Sequence, residues 1–169
     1  TGIQMAYSSS LDKYLIVYRD NGNSYYGTAV VATVSGTSVT FGTPVAFSAR
    51  TTYGYSVVYD DAQSVFLVQY SDNNDIFARA CTVSGTNISF GAEATIKSAG
   101  TSADSSVAYD STVGKVVGVW RTYTSPPQGG EAVVYSLSST TVQINTPVVY
   151  ASGNILTGAD CKISYNVKE

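Results

Sequence analysis

"TVSGTSVTFG" (33–42) returns as "TVSGTNISFG" (82–91), about 50 residues further along the chain. Self-similarity at a fixed period is the mark of a chain that stacks one small supersecondary unit on another. Working outward, "YSVVYDDAQSVFLVQYSDNN" (55–74) matches "SSVAYDSTVGKVVGVWRTY" (105–123), and a related stretch, "IQMAYSSSLDKYLIVYRDNG" (3–22), opens the chain. "TPV" occurs at 43–45 and again at 146–148, and tyrosines recur at Tyr7, Tyr59, Tyr109 and Tyr165. The chain of 169 residues therefore divides into units at 3–54, 55–104 and 105–160, within one repeat domain spanning 1–169. "CKISYNVKE" (161–169) reads as the first strand of a further unit.

Each unit reads as four short strands. The first is "SVVYD"-like, the second "KYLIVYR", "SVFLVQY" or "KVVGVW", the third "GTAVVATV", "FARACTV" or "EAVVYSL", and the fourth "SVTFGTPVAF" or its equivalents. These runs are β-branched and aromatic, and the turn residues fall at regular intervals. No segment holds a 3.6-residue period, so no helix is expected. Alternation is weak in the second strand, because Leu15 and Val17 oppose Tyr14, Ile16 and Tyr18 and both sets are largely apolar. A sheet apolar on both faces is one covered on both faces.

Four-stranded antiparallel units that repeat and cover one another are expected of a β-propeller-like array. Tandem small β-domains are the alternative. A propeller closes with ~4–8 blades, and three blades plus the first strand of a fourth fall short. The expectation is thus a larger ring, completed either by further blades of a longer chain or by self-association. A sequence that starts and stops directly in strands favours a piece of a longer chain.

Composition excludes several functions. Net charge is −3, and nine Lys plus Arg are scattered singly. A general nucleic-acid binder needs a basic stripe. No apolar run approaches the ~20 residues of a helical membrane span. Histidine is absent, which removes the commonest general base and metal ligand. Ser–His–Asp chemistry and His-containing zinc sites cannot be built. No cofactor is expected. Cys81 and Cys161 fall at small or apolar strand positions and read as buried free thiols. A glycosidase needs two carboxylates across a sugar, whereas most aspartates here recur at turns and so serve the unit. The expectation is a chain with no catalytic residues.

The loop between the second and third strands carries the candidate site. In unit one it is "DNGNSY" (20–25) and in unit two "DNNDIF" (72–77). One reading is a turn pinned by Asx side chains, with Asp20 and Gly22 serving hairpin geometry. It is loosely similar to the Asp-box turn of sialidase-type propellers, although Tyr18 and Tyr70 stand where that motif has Ser or Thr. Calcium takes six to eight oxygens from several carboxylates. Asp72, Asn74 and Asp75 supply few, and no metal site is expected. Sugar binding needs aromatic faces and hydrogen-bonding side chains. Asn23, Tyr25 and Tyr26 offer these in unit one, Asp72, Asn74 and Phe77 in unit two, and Arg121 and Tyr123 in unit three. Arg50 and Tyr53, in the linker "SARTTYGY" (48–55), are weaker candidates. The insertion "YTSPPQGGE" (123–131) is expected to stiffen at Pro126-Pro127 and turn back at Gly129-Gly130.

The repeat resembles the ~50-residue propeller-like repeats of tail-fibre and other virion-surface proteins of marine bacteriophages, and related secreted adhesins. The residues that carry the likeness are "YRDNGNSYYGTAVVATVSGTSVTFGTPVAF" (18–47) and, more weakly, 70–96. Unit three keeps "SVAYDSTVGKVVGVWR" and "TPVV" but departs in between. The resemblance implies a surface-exposed module, extracellular or on a virion, that binds a cell-surface glycan or receptor without catalysis. A structural filament or spacer without a ligand is the first alternative, and a fragment of a sialidase-like glycoside hydrolase the second.

Overall fold

The computed structural model describes residues 2–72, 74–122 and 129–153, without the side chains of 101–103. The described chain is all-β: three antiparallel sheets and no helix, hence no helix long and apolar enough to cross a membrane. Sheet 1 holds β1 (Gln4–Ser8), β2 (Lys13–Asp20), β3 (Tyr26–Ser35), β4 (Ser38–Phe41) and β5 (Val45–Thr51). Sheet 2 holds β6 (Tyr53–Asp60), β7 (Val65–Ser71), β8 (Ile76–Ser84), β9 (Asn87–Phe90) and β10 (Ala94–Lys97). Sheet 3 holds β11 (Thr101–Asp110), β12 (Lys115–Thr122), β13 (Gly129–Ser138), β14 (Thr141–Ile144) and β15 (Val148–Ser152).

The fourth strand of each unit is two strands, not one. β4 pairs with Ala32–Ser35 of β3 and β5 with its other half, from Tyr26 to Ala29. The edge breaks at 42–44, where Pro44 has no N–H to give, yet the Gly42 N–H still reaches the Val31 carbonyl at 2.9 Å. The same split gives β9 and β10 on β8, and β14 and β15 on β13. The motif that revealed the repeat supplies the tight turn between β3 and β4. Gly36 and Gly85 lie at φ 59° and 62°, and the third copy places Ser139 there at φ 51°. A two-residue hairpin demands that left-handed position, and glycine fills it without a steric penalty.

Sheet 2 lies between the other two. All seven residues of β7 are buried, and period-two geometry sorts them. Phe66, Val68 and Tyr70 pack with Leu15, Val17, Val31 and Phe47 of sheet 1. Val65 and Leu67 pack with Val116, Trp120, Val133 and Tyr135 of sheet 3. Each fully buried side chain of this size contributes about 1.5–3 kcal/mol. Polar contacts fix the stacking. Ser10 Oγ lies 2.7 Å from Tyr59 Oη, and Tyr109 Oη accepts the Ala62 N–H at 3.3 Å. Between sheets 2 and 3, the Tyr135 hydroxyl donates to Gln69 Oε1 at 2.5 Å, and Gln69 Nε2 donates to the Val119 carbonyl at 3.1 Å.

Three sequence expectations need correction. The supposed linker 48–55 is strand, because β5 runs to Thr51 and β6 resumes at Tyr53. Gly129 and Gly130 do not turn; they begin β13 and pair with Thr122 and Arg121. A Cβ on Gly130 would strike the Tyr150 ring, so close approach rather than a bend requires glycine. Coverage on both faces holds for sheet 2 but not sheet 1, whose Ile3, Met5 and Phe41 stand 71%, 65% and 61% exposed. Tyr7 is accordingly 46% exposed, whereas its counterpart Tyr59 is 5% exposed. Residues 161–169, with Cys161 and Tyr165, lie outside the described residues.

Candidate functional site

The β2–β3 hairpin of sheet 1 closes around Asp20. Its carboxylate accepts the Gly22 N–H at 2.9 Å, and its carbonyl accepts the Asn23 N–H at 3.2 Å. The Tyr26 N–H returns to the Asn23 carbonyl at 2.9 Å. To complete the turn, Ser24 and Tyr25 both adopt left-handed backbone, at φ 51° and 60°. That conformation costs a non-glycine residue roughly 1–2 kcal/mol. The Thr52 N–H holds it by donating to the Tyr25 carbonyl at 3.1 Å.

Tyr25 consequently stands half exposed, at 46%, on the rim of a cleft. The Arg19 guanidinium lies 5.2 Å from its ring centroid and 5.5 Å from that of Tyr53, a cation–π arrangement that stiffens all three groups. The cleft is open, about 570 Å³, and lined by Gly2, Ile3, Tyr18, Arg19, Asn21, Tyr25 and Tyr55. The Tyr55 hydroxyl accepts the Arg19 N–H at 3.2 Å and donates to the Gly2 carbonyl. Partial burial, and then the Asp20 charge, push the Tyr18 phenol above its ordinary pKa. Tyr ring faces, an amide and a guanidinium around one cleft suit a polyhydroxylated ligand with apolar C–H patches.

The equivalent turn of sheet 2 is built differently. Asp72 Oδ1 accepts the N–H groups of Asn74 and Asp75 at 3.1 and 2.9 Å. Its other oxygen lies 3.8 Å from Arg50 Nε. Asp75 Oδ1 accepts both Asn74 Nδ2 and the Ala99 N–H, each at 2.7 Å. Both carboxylates are thus occupied in holding the turn. Phe77 is 3% exposed; its ring stacks on Tyr70 at 5.5 Å and carries the Arg50 guanidinium at 4.4 Å. Arg50 is further fixed by Glu93 Oε1 at 2.6 Å, and the Tyr70 hydroxyl donates to the same carboxylate. Glu93 lies between β9 and β10 rather than within a strand.

In sheet 3, Arg121 is 4% exposed and pairs with Asp104 at 2.8 Å. Tyr123 and Asn73 lie outside the described residues, as do the two prolines of the insertion. Cys81 is fully buried, and burial pushes its thiol up to about 12.

Of the residues singled out in the sequence, Tyr25 lines the cleft, Asn23 belongs to the same turn, and Tyr26 begins β3 half-buried. Asp72 and Asn74 form a second turn, and Phe77 and Arg121 are buried. The sequence reading missed Tyr18, Arg19, Asn21 and Tyr55. The available signal was "YRDN" (18–21), in which a lone arginine follows a tyrosine directly before the turn. Tyr55 comes from the next unit and no local pattern points to it. No protein-family model matches the chain, and no curated protein matches it.

Proposed function

We propose that the chain is a non-catalytic surface module that recognises a cell-surface glycan or receptor glycan through the Arg19–Tyr25 cleft. The three sheets are read as blades of a propeller-like ring, on a virion or otherwise extracellular, in keeping with the resemblance to phage tail-fibre repeats. The observation that carries this reading is Tyr25, a non-glycine residue held at positive φ and stacked against Arg19 at the rim of a cleft. Residues held in such backbone conformations cluster at ligand-contact sites, which makes an exposed aromatic one a candidate contact. The ring offers a stacking face, Arg19 and Asn21 offer hydrogen-bond donors, and the Tyr18 and Tyr55 hydroxyls flank them. Asn23 extends the same turn, and the Asp72–Asn74 turn is a secondary surface.

Binding to an oligosaccharide array, followed by titration calorimetry on the best hit, tests the proposal. Tyr25→Ala is expected to weaken binding at least about tenfold, the loss typical of an aromatic anchor, without changing the unfolding midpoint by more than the turn's own contribution. Arg19→Gln is expected to weaken it by a similar factor. An array that stays silent with a folded protein refutes the reading and favours a structural spacer. Hydrolysis of a bound sugar would refute its non-catalytic part.

A further inference from the structure

We propose that the outward face of sheet 1 docks head-to-tail on the outward face of sheet 3 of a second copy of this chain. The sheet 1 face shares Ile3 and Tyr18 with the cleft, but docking there needs no ligand in the cleft. It repeats an interface that the molecule already contains twice.

At each internal junction the following sheet contributes one face and the preceding sheet the opposite one. Phe66, Val68 and Tyr70 of sheet 2 meet Leu15 and Val17 of sheet 1. Val116 and Trp120 of sheet 3 meet Leu67 of sheet 2. In repeat register, Tyr14, Ile16 and Tyr18 are the sheet 1 copies of the first set, and Val117 and Val119 the sheet 3 copies of the second. Among the described residues, sheet 1 thus ends in a following face on which no further sheet packs, and sheet 3 in such a preceding face.

Exposure follows that register. Ile3 and Met5 are 71% and 65% exposed, while their sheet 2 counterparts Tyr55 and Val57 are both 8% exposed. Val39 is 51% exposed and its counterpart Ile88 is 9% exposed. At the other end, Val134 and Tyr150 are 38% and 52% exposed, where the corresponding Val31 and Phe47 of sheet 1 are fully buried. Val113, 62% exposed, corresponds to Leu11, which packs against the sheet 1–sheet 2 core. The hydrogen bonds repeat as well. Tyr59 and Tyr109 each reach the first turn of the preceding sheet, at Ser10 and Ala62. Tyr7 is the third copy of that tyrosine, and the turn 111–114 of sheet 3 is the third copy of its target. Faces that match the two sides of an existing interface are complementary to each other, which makes the contact heterologous rather than two-fold symmetric.

One departure sets its strength. Gly42 and Gly91 seat Thr86 and Thr140 of the next sheet, and a Cβ at Gly42 would lie 2.6 Å from the Thr86 carbonyl oxygen. Sheet 3 carries Asn145 at that position, so an incoming Thr37 turn meets a side chain there. The contact between copies is therefore looser than the internal ones.

Sedimentation equilibrium of the chain from about 1 to about 100 μM tests the proposal, because association is concentration-dependent. Masses above the 17.8 kDa monomer are expected. Met5→Asp/Phe41→Asp blocks one face and Val134→Asp/Val148→Asp the other. Each variant alone is expected to be monomeric, since an unpaired charge would be buried in an apolar contact. An equimolar mixture is expected to form 1:1 dimers, because each partner keeps the face the other lacks. Asn145→Gly is expected to lower the dissociation constant about tenfold by relieving the overpacked contact. Blue-shifted Trp120 emission verifies that every variant is folded. A strictly monomeric parent overturns the proposal. So does self-association of either blocked variant at the parent's affinity, or a mixture of the two that stays monomeric.

Discussion

Removing one oxygen from the junction of sheets 2 and 3 isolates the worth of its buried polar contact. Gln69 and Tyr135 are both fully buried. The Tyr135 hydroxyl donates to Gln69 Oε1 at 2.5 Å, and Gln69 Nε2 donates to the Val119 carbonyl at 3.1 Å. Tyr135→Phe keeps the ring and its packing but strands the Gln69 oxygen away from water. A buried acceptor without its donor costs about 1–3 kcal/mol. With a urea m-value of about 2 kcal/mol per M, the midpoint is expected to fall by about 0.5–1.5 M. Trp120, the single tryptophan, is fully buried in the same core, so its fluorescence reports the transition directly. Gln69→Leu/Tyr135→Phe removes both partners and is expected to cost less than the sum of the single changes, with a coupling of about 0.5–3 kcal/mol. A Tyr135→Phe midpoint within about 0.1 M of the parent, or strict additivity in the cycle, would refute the reasoning.

Other perturbations have equally definite outcomes. Ser139→Gly is expected to raise stability by about 0.5–1 kcal/mol, since glycine occupies the same left-handed turn position at Gly36 and Gly85; a lower urea midpoint would contradict this. Gly118→Ala places a Cβ 2.7 Å from the Tyr135 ring and is expected to cost at least about 1–3 kcal/mol by overpacking, read from thermal unfolding. Burial, and for Tyr70 also its bond to Glu93, raises the phenol pKa of Tyr70 and Tyr135 above the ordinary value. The unfolded chain loses those protons near pH 10 while the folded chain keeps them. Stability is therefore full below about pH 10 and falls as pH rises above it, seen as urea midpoints that drop between pH 9 and 11. Cys81, with its thiol pushed up to about 12 and no exposure, is expected to react with Ellman's reagent at pH 8 only after unfolding.

The sequence by itself determined the repeat, the all-β class and the position of most turns. Each follows from local chemistry: β-branched runs, the Ser-Gly-Thr turn, and aspartates that accept their own following N–H groups, as at Asp20, Asp72 and Asp110. The broken edges were only partly legible: Pro44 and Pro147 mark a break in units one and three, but unit two breaks at the same place without a proline, where Gly91 seats Thr140 of the next sheet. The candidate site was half legible. Tyr25 and Asn23 lie in one turn and could be named from it, while Tyr55, which shapes the cleft, lies about 30 residues away and arrives only through stacking. Phe77 and Arg121 occupy the matching stretches of units two and three, yet both are buried, since sheets 2 and 3 each pack that end of the sheet differently from sheet 1. Which copy of a repeated residue faces solvent is a property of its neighbours, not of its own unit. Period and pattern are local and survive in one dimension; exposure, pairing across sheets and the open faces of sheets 1 and 3 exist only once the sheets are stacked.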